Sequence, residues 1–171
     1  MGKRSFALLT ILFPWLLVGC HSVSRTAAPV PESQQIISAE IKNLYMSVSA
    51  AAPHSPEQQE LVTQMVDRST SAKELLLTMR AVDGVFSSDE AVAPVRATVT
   101  SKMMQVATLD QLSDYATRFG VDPTQARAYV ERMFQLASEV TDSRAWHRIR
   151  LTAAHLRQAD LERAAAARAT P

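Results

Sequence analysis

Cysteine, glycine and long apolar runs are what this chain has least of. Its one cysteine, Cys20, cannot form an internal disulfide, so stability must come from packing. Only Gly84 and Gly120 lie beyond position 20, which leaves no glycine-rich loop to cradle a phosphate. The longest largely apolar stretch, Phe6 to Val18, is about 13 residues, short of the roughly 20 that a bilayer-crossing helix needs. Polar residues interrupt every later run. No segment alternates apolar and polar side chains for long, so nothing calls for a sheet.

What is present begins at the N-terminus. Lys3 and Arg4 lead into the Phe6–Val18 stretch, followed by small Gly19 and then Cys20, the three-part layout of a secretory signal. With Leu17, Val18 and Gly19 directly before it, Cys20 resembles the modified cysteine of the lipobox of bacterial lipoproteins. The resemblance implies a signal peptide over 1–19 and acylation of Cys20 as the first mature residue. It implies attachment to a membrane through acyl chains, which hold firmly when there are two or more. His21 rather than Asp after the cysteine resembles sorting to the outer membrane, facing the periplasm. In a Gram-positive cell the same signal would place the protein on the outer face of the cytoplasmic membrane.

Loss of Lys3 and Arg4 with the leader takes Lys+Arg from 18 to 16 against 17 Asp+Glu. A near-neutral chain of this kind lacks the basic excess of a nucleic-acid binder, so no nucleic-acid partner is expected. Acylation would also remove the one thiol, leaving neither a cysteine nucleophile nor a thiolate metal ligand.

Residues 20–33 read as a lipidated cysteine and a flexible tether, with Pro29, Pro31 and several serines and no apolar periodicity. Thirteen residues of tether reach at most about 43–47 Å. Beyond it, residues 34–168 read as one all-α, bundle-like domain of six or seven helices, expected to be monomeric. Ile37, Ile41, Leu44, Tyr45 and Val48 predict a first helix near 33–51. Ser55-Pro56-Glu57-Gln58 marks a helix start, with a Ser cap and Pro at the first helical position. Ser71 and Glu74 form a second capping pair ahead of Leu75, Leu76, Met79 and Val82, a series that should stop at a left-handed Gly84. After Ser88, Pro94 predicts a short turn and a new helix from about 93. Val95, Val99, Met103 and Val106 share its apolar face. Thr108 and Gln111 cap a short helix closed by Gly120, and Asp122-Pro123-Thr124-Gln125 looks like a strong cap for the next. A last helix from Asp142 or Ser143 carries Trp146, Ile149, Ala153 and Leu156 on one face and fades into Ala164–Ala167. Trp146 is the residue most expected to be buried there. No repeat of fixed period is present.

Catalytic constellations are hard to find. Nothing resembles a nucleophile elbow, and acidic pairs such as Asp89-Glu90 sit where they stabilise helix N-termini. His147 and His155 are eight residues apart on one helix, roughly 80° and two turns from each other, so they cannot clamp one metal alone. No catalytic residue, metal or cofactor is expected, and the protein is not expected to be an enzyme. Charge distribution gives more. Ser55 to Glu90 holds seven acidic and three basic residues, whereas Asp142 onward holds six arginines and three acidic residues. Arg144, Arg148 and His155 fall opposite Trp146, Ile149 and Leu156. That stripe is either a solvated face or a docking surface for an acidic partner or anionic headgroups. Met residues usually fill cores, but Met103 and Met104 are adjacent and cannot share one face. One of them should be exposed or line a groove for a partner helix.

These features point to an assembly or adaptor lipoprotein that binds a segment of a larger envelope protein. Its architecture is similar to that of helical pilotin lipoproteins, which bring secretin subunits to the outer membrane. An inhibitor, immunity or exclusion lipoprotein would have the same features, and an enzyme acting on envelope polymers fits them least.

Overall fold

The computed structural model describes residues 35–86, 88–138 and 142–169. The leader, Cys20, the 20–33 segment and Val140 lie outside them. Among the described residues the chain is all-α: α1 (Ala39–Ala50), α2 (Pro56–Arg68), α3 (Ala72–Val85), α4 (Asp89–Val106), α5 (Leu109–Phe119), α6 (Ala126–Ala137), α7 (Ser143–His155) and α8 (Ala159–Ala169).

Capping sets most of the helix starts. Ser38 accepts a hydrogen bond from Ile41 N at 3.3 Å and Ser55 from Gln58 N at 3.1 Å, and Ser71 with Glu74 and Thr108 with Gln111 close full capping boxes. α1 therefore starts at Ala39, later than its apolar pattern predicts, because Ser38, with extended backbone, caps it and residues 35–37 before it are not helical. Ser69-Thr70-Ser71 separates α2 from α3.

Four expectations are corrected. Gly84 does not stop α3: the helix continues through Val85, whose side chain enters the core at 1% exposure, and closes on Phe86. Gly120 alone of the two described glycines has positive φ, at 71°. Pro94 does not open a new helix but lies inside α4. It comes early enough that the carbonyl it leaves unpaired, that of Glu90, is in the exposed first turn. Asp122 does not cap α6 directly. It accepts from Thr124 N at 2.9 Å and folds residues 123–125 into a turn, and α6 starts afterwards with no side-chain cap.

The fourth correction gives the eighth helix. The last helical stretch does not run on but breaks after His155, where Arg157 takes φ 57°. Arg157 N bonds to Ala154 O at 3.0 Å and Gln158 N to Ala153 O at 2.8 Å. This is a Schellman stop with arginine where glycine is usual. α8 then folds back along α7, burying Ala165 completely.

α3 is the central helix of the first half, touching α1, α2, α4 and α5. α7 has that place in the second half, touching α5, α6 and α8. One continuous core joins the halves. Leu75, Met79 and Val82 of α3 are fully buried, as are Met103, Leu112, Tyr115, Tyr129, Met133 and Ile149 from the other helices. Each such aliphatic or Met side chain is worth about 1.5–3 kcal/mol of burial. The core tyrosines are satisfied. Tyr129 Oη donates to Leu112 O at 2.7 Å, and Tyr115 Oη shares a hydrogen bond with Thr100 Oγ1 at 3.1 Å. Burial pushes the Tyr115 phenol up to about 12 against the opposing pull of the Thr100 hydroxyl.

A polar junction fixes where residues 35–38 join the body. The Gln35 and Gln111 amides pair reciprocally at 3.2 and 3.0 Å, and Lys73 N donates to Gln35 Oε1 at 3.2 Å. Beside them, Glu74 is 2% exposed and accepts from the backbone N–H groups of Ser38, Thr70 and Ser71 at 3.0, 2.9 and 3.2 Å. Burial alone would raise its carboxyl. The converging N–H donors outweigh that and hold it down at about 2.

Candidate functional site

Of the residues singled out in the sequence, Arg144, Arg148 and His155 are all exposed on α7. They lie at helical spacing with His147 and with Leu151, which keeps 53% exposure although it is apolar. Ser143, Arg144, His147, Arg148 and Ala169 line a shallow open depression of about 470 Å³. The stripe is therefore real as a surface, but its charge is not all free. Arg148 is ion-paired with Asp110 of α5, whereas Arg144 is in no ion pair among the described residues.

The neighbouring basic side chains are also engaged in holding helices together. Arg127 of α6 bridges Glu131 at 3.0 Å and Asp160 of α8 at 2.9 Å. Arg168 of α8 lies 5.2 Å from the Phe134 ring centroid and 5.3 Å from that of Trp146, and the two rings meet edge to face at 5.4 Å. Trp146 is only partly buried, packed against the core, which corrects the expectation that it would be the buried residue of its helix. The α8 hairpin, which the sequence pattern did not reveal, covers one side of it.

Met103 and Met104 divide as their adjacency requires. Met103 is fully buried and presents no groove to a partner, which corrects its place among the docking residues. Met104 is half-buried beside the core, and its carbonyl accepts from Arg132 Nε of α6 at 2.9 Å. His54 has a structural part that its loop position did not suggest. With φ 58°, it sets its Nδ1 against Val85 O at 2.8 Å, linking the α1–α2 turn to the end of α3. No three metal-ligating side chains converge among the described residues.

A larger groove lies elsewhere, between α2 and α4, with a volume of about 510 Å³. Val66, Phe86 and Val95 give it an apolar floor and sides. α2 contributes Glu60, Thr63 and Asp67, successive positions on one helix face, and α4 contributes Ala91, Pro94, Val95 and Thr98. The α4 side chains are small, and this leaves the space open. Glu60 and Asp67 are exposed, and neither is in an ion pair among the described residues. Nearby, Lys102 Nζ caps the end of α2 by donating to the carbonyls of Val66 at 2.5 Å and Asp67 at 2.9 Å. The excess of acidic residues between 55 and 90 gave the sign of this face. The groove itself depends on how α2 packs on α4, a long-range contact with no signature in either segment.

No protein-family model, curated protein or solved structure matches this chain.

Proposed function

We propose that this protein is a lipid-anchored adaptor of the bacterial cell envelope, held at the outer membrane and facing the periplasm, that captures a segment of a larger envelope protein. The observation that carries this reading is Leu17-Val18-Gly19-Cys20, with the chain's one cysteine at the position the lipobox requires, behind a basic start and a short apolar stretch. An acylated Cys20 would restrict the helical body to the neighbourhood of the membrane. Capture would then act at a raised effective concentration of partner. One feature of the body supports a binding role: a groove of about 510 Å³ between α2 and α4, within the volume range of ligand sites.

The anchor is tested by metabolic labelling with a fatty-acid analogue. The wild-type chain should incorporate label and be processed. Cys20→Ala should remain an unlabelled, longer precursor. Equal labelling of the variant would overturn the lipoprotein reading.

A further inference from the structure

We propose that the α2–α4 groove takes a basic amphipathic helix, a partner segment whose apolar side chains enter between the two helices while flanking Lys or Arg side chains meet Glu60 and Asp67. This deepens the adaptor reading and rests on it only for the partner's location.

The groove's shape favours a helix. Glu60 and Asp67 are seven residues apart on α2, about 10 Å along the axis, and the α4 wall repeats at 91, 94, 95 and 98 over a similar length. That matches two turns of a ligand helix, which presents apolar anchors at i, i+3, i+4 and i+7. Val66, Phe86 and Val95 offer the apolar contact, and Pro94 and Ala91 keep the α4 rim low enough for side chains to enter.

Charge decides the kind of helix. Both acidic side chains on the α2 rim are exposed and outside any ion pair among the described residues, and no basic side chain lines the groove. The wider segment around them carries seven acidic residues to three basic, and one of those three, Arg68, is held by Glu40 at 2.5 Å. Lys102 is turned onto the α2 carbonyls of Val66 and Asp67. An acidic helix or an anionic headgroup would bring like charge to this rim and be repelled. A basic helix would be attracted and held in one register.

The test uses the full-length chain in nanodiscs of zwitterionic lipid. The probes are two synthetic 14-residue peptides with leucines at helical spacing and either lysine or glutamate elsewhere, each with a photo-reactive group near its centre. The lysine peptide should bind at least tenfold more tightly than the glutamate peptide. Its cross-links should map to Val66, Phe86, Val95 or Thr98. Glu60→Lys with Asp67→Lys should weaken it about tenfold without changing helicity or thermal midpoint, whereas Glu162→Lys on α8 should not. Equal binding of the two peptides would overturn the proposal. So would cross-links confined to α7, or loss of peptide binding through self-association of the chain. An unacylated Cys20 with groove-mapped cross-links would sink the adaptor reading and leave the groove assignment standing. An acylated chain whose cross-links fall elsewhere would do the reverse.

Discussion

The α2–α4 face and the α7–α8 hairpin carry opposite charge, and they use it differently. On the α7 side, Arg148 is held by Asp110, and two further arginines brace α8: Arg127 by pairing with Asp160, Arg168 by lying over Phe134 and Trp146. On the α2 side, Glu60 and Asp67 stand at a groove with no ion-pair partner among the described residues. A count of charges along the chain makes the arginine-rich end look like the better docking surface. In the packed molecule intramolecular partners engage several of the cations. Glu60, by contrast, accepts only from the neutral Gln64 amide, and neither it nor Asp67 is in an ion pair among the described residues, which is why we place the docking surface at the groove.

Burial also differs from place to place in the molecule, and that difference can be broken in a graded way. The largest effect is expected at the centre of the first half. Leu75→Ala in α3 should cost about 3–5 kcal/mol by urea denaturation, because the side chain is fully buried. Trp146→Ala on the hairpin side should cost less, about 1–2 kcal/mol, since that ring is only partly covered. Equal losses would contradict the placing of Leu75 inside the core and of Trp146 at its edge.

Next comes the buried carboxylate at the 35–38 junction. The Glu74 carboxyl lies at about 2 in the folded chain against an ordinary value of 4.5. A lowered carboxyl stabilises the fold fully above about pH 4.5, and that contribution is lost as pH falls toward 2. Glu74→Gln should therefore cost on the order of 3 kcal/mol at pH 7. It should also flatten stability against pH across that window. A variant that kept the wild-type acid transition would show that Glu74 does not govern it.

A smaller effect of opposite sign is expected at the hairpin. Arg157 occupies a left-handed position that costs a non-glycine residue about 1 kcal/mol, so Arg157→Gly should gain about 0.5–1 kcal/mol. A loss instead would mean that the arginine side chain contributes more than its backbone strain removes. Asp110→Asn, which breaks the exposed pair with Arg148, should change stability by about 0.5 kcal/mol or less.

These regions also separate what could be read from sequence and what could not. Ser55, Ser71 and Thr108 were legible as caps, because the Ser/Thr and Glu/Gln spacing that satisfies orphan N–H groups is local; Ser38, with Ile41 three residues on, lacks that spacing and its cap was not legible. The α7–α8 break was not, because Arg157 stands where a glycine would have announced the turn. Gly84 misled for the converse reason: a glycine that can stop a helix need not do so when the next residue, Val85, is drawn into the core. At the surface, the Arg144, Arg148 and His155 stripe was legible from the 3.6-residue period. Its partial neutralisation by Asp110 was not, since that pair joins α7 to α5. Met103 and Met104 could be told to part, but only packing shows that Met103 goes inside.

The central claim is that partner capture belongs to the acidic groove and not to the basic stripe. It is tested most directly by placing a photo-reactive amino acid in living cells at Thr98, on the groove, or at Leu151, within the stripe. The account predicts a discrete cross-linked adduct from position 98 that disappears in Glu60→Lys/Asp67→Lys and survives Arg144→Glu/Arg148→Glu. An adduct from position 151 alone, abolished by reversing the two arginines, would contradict it.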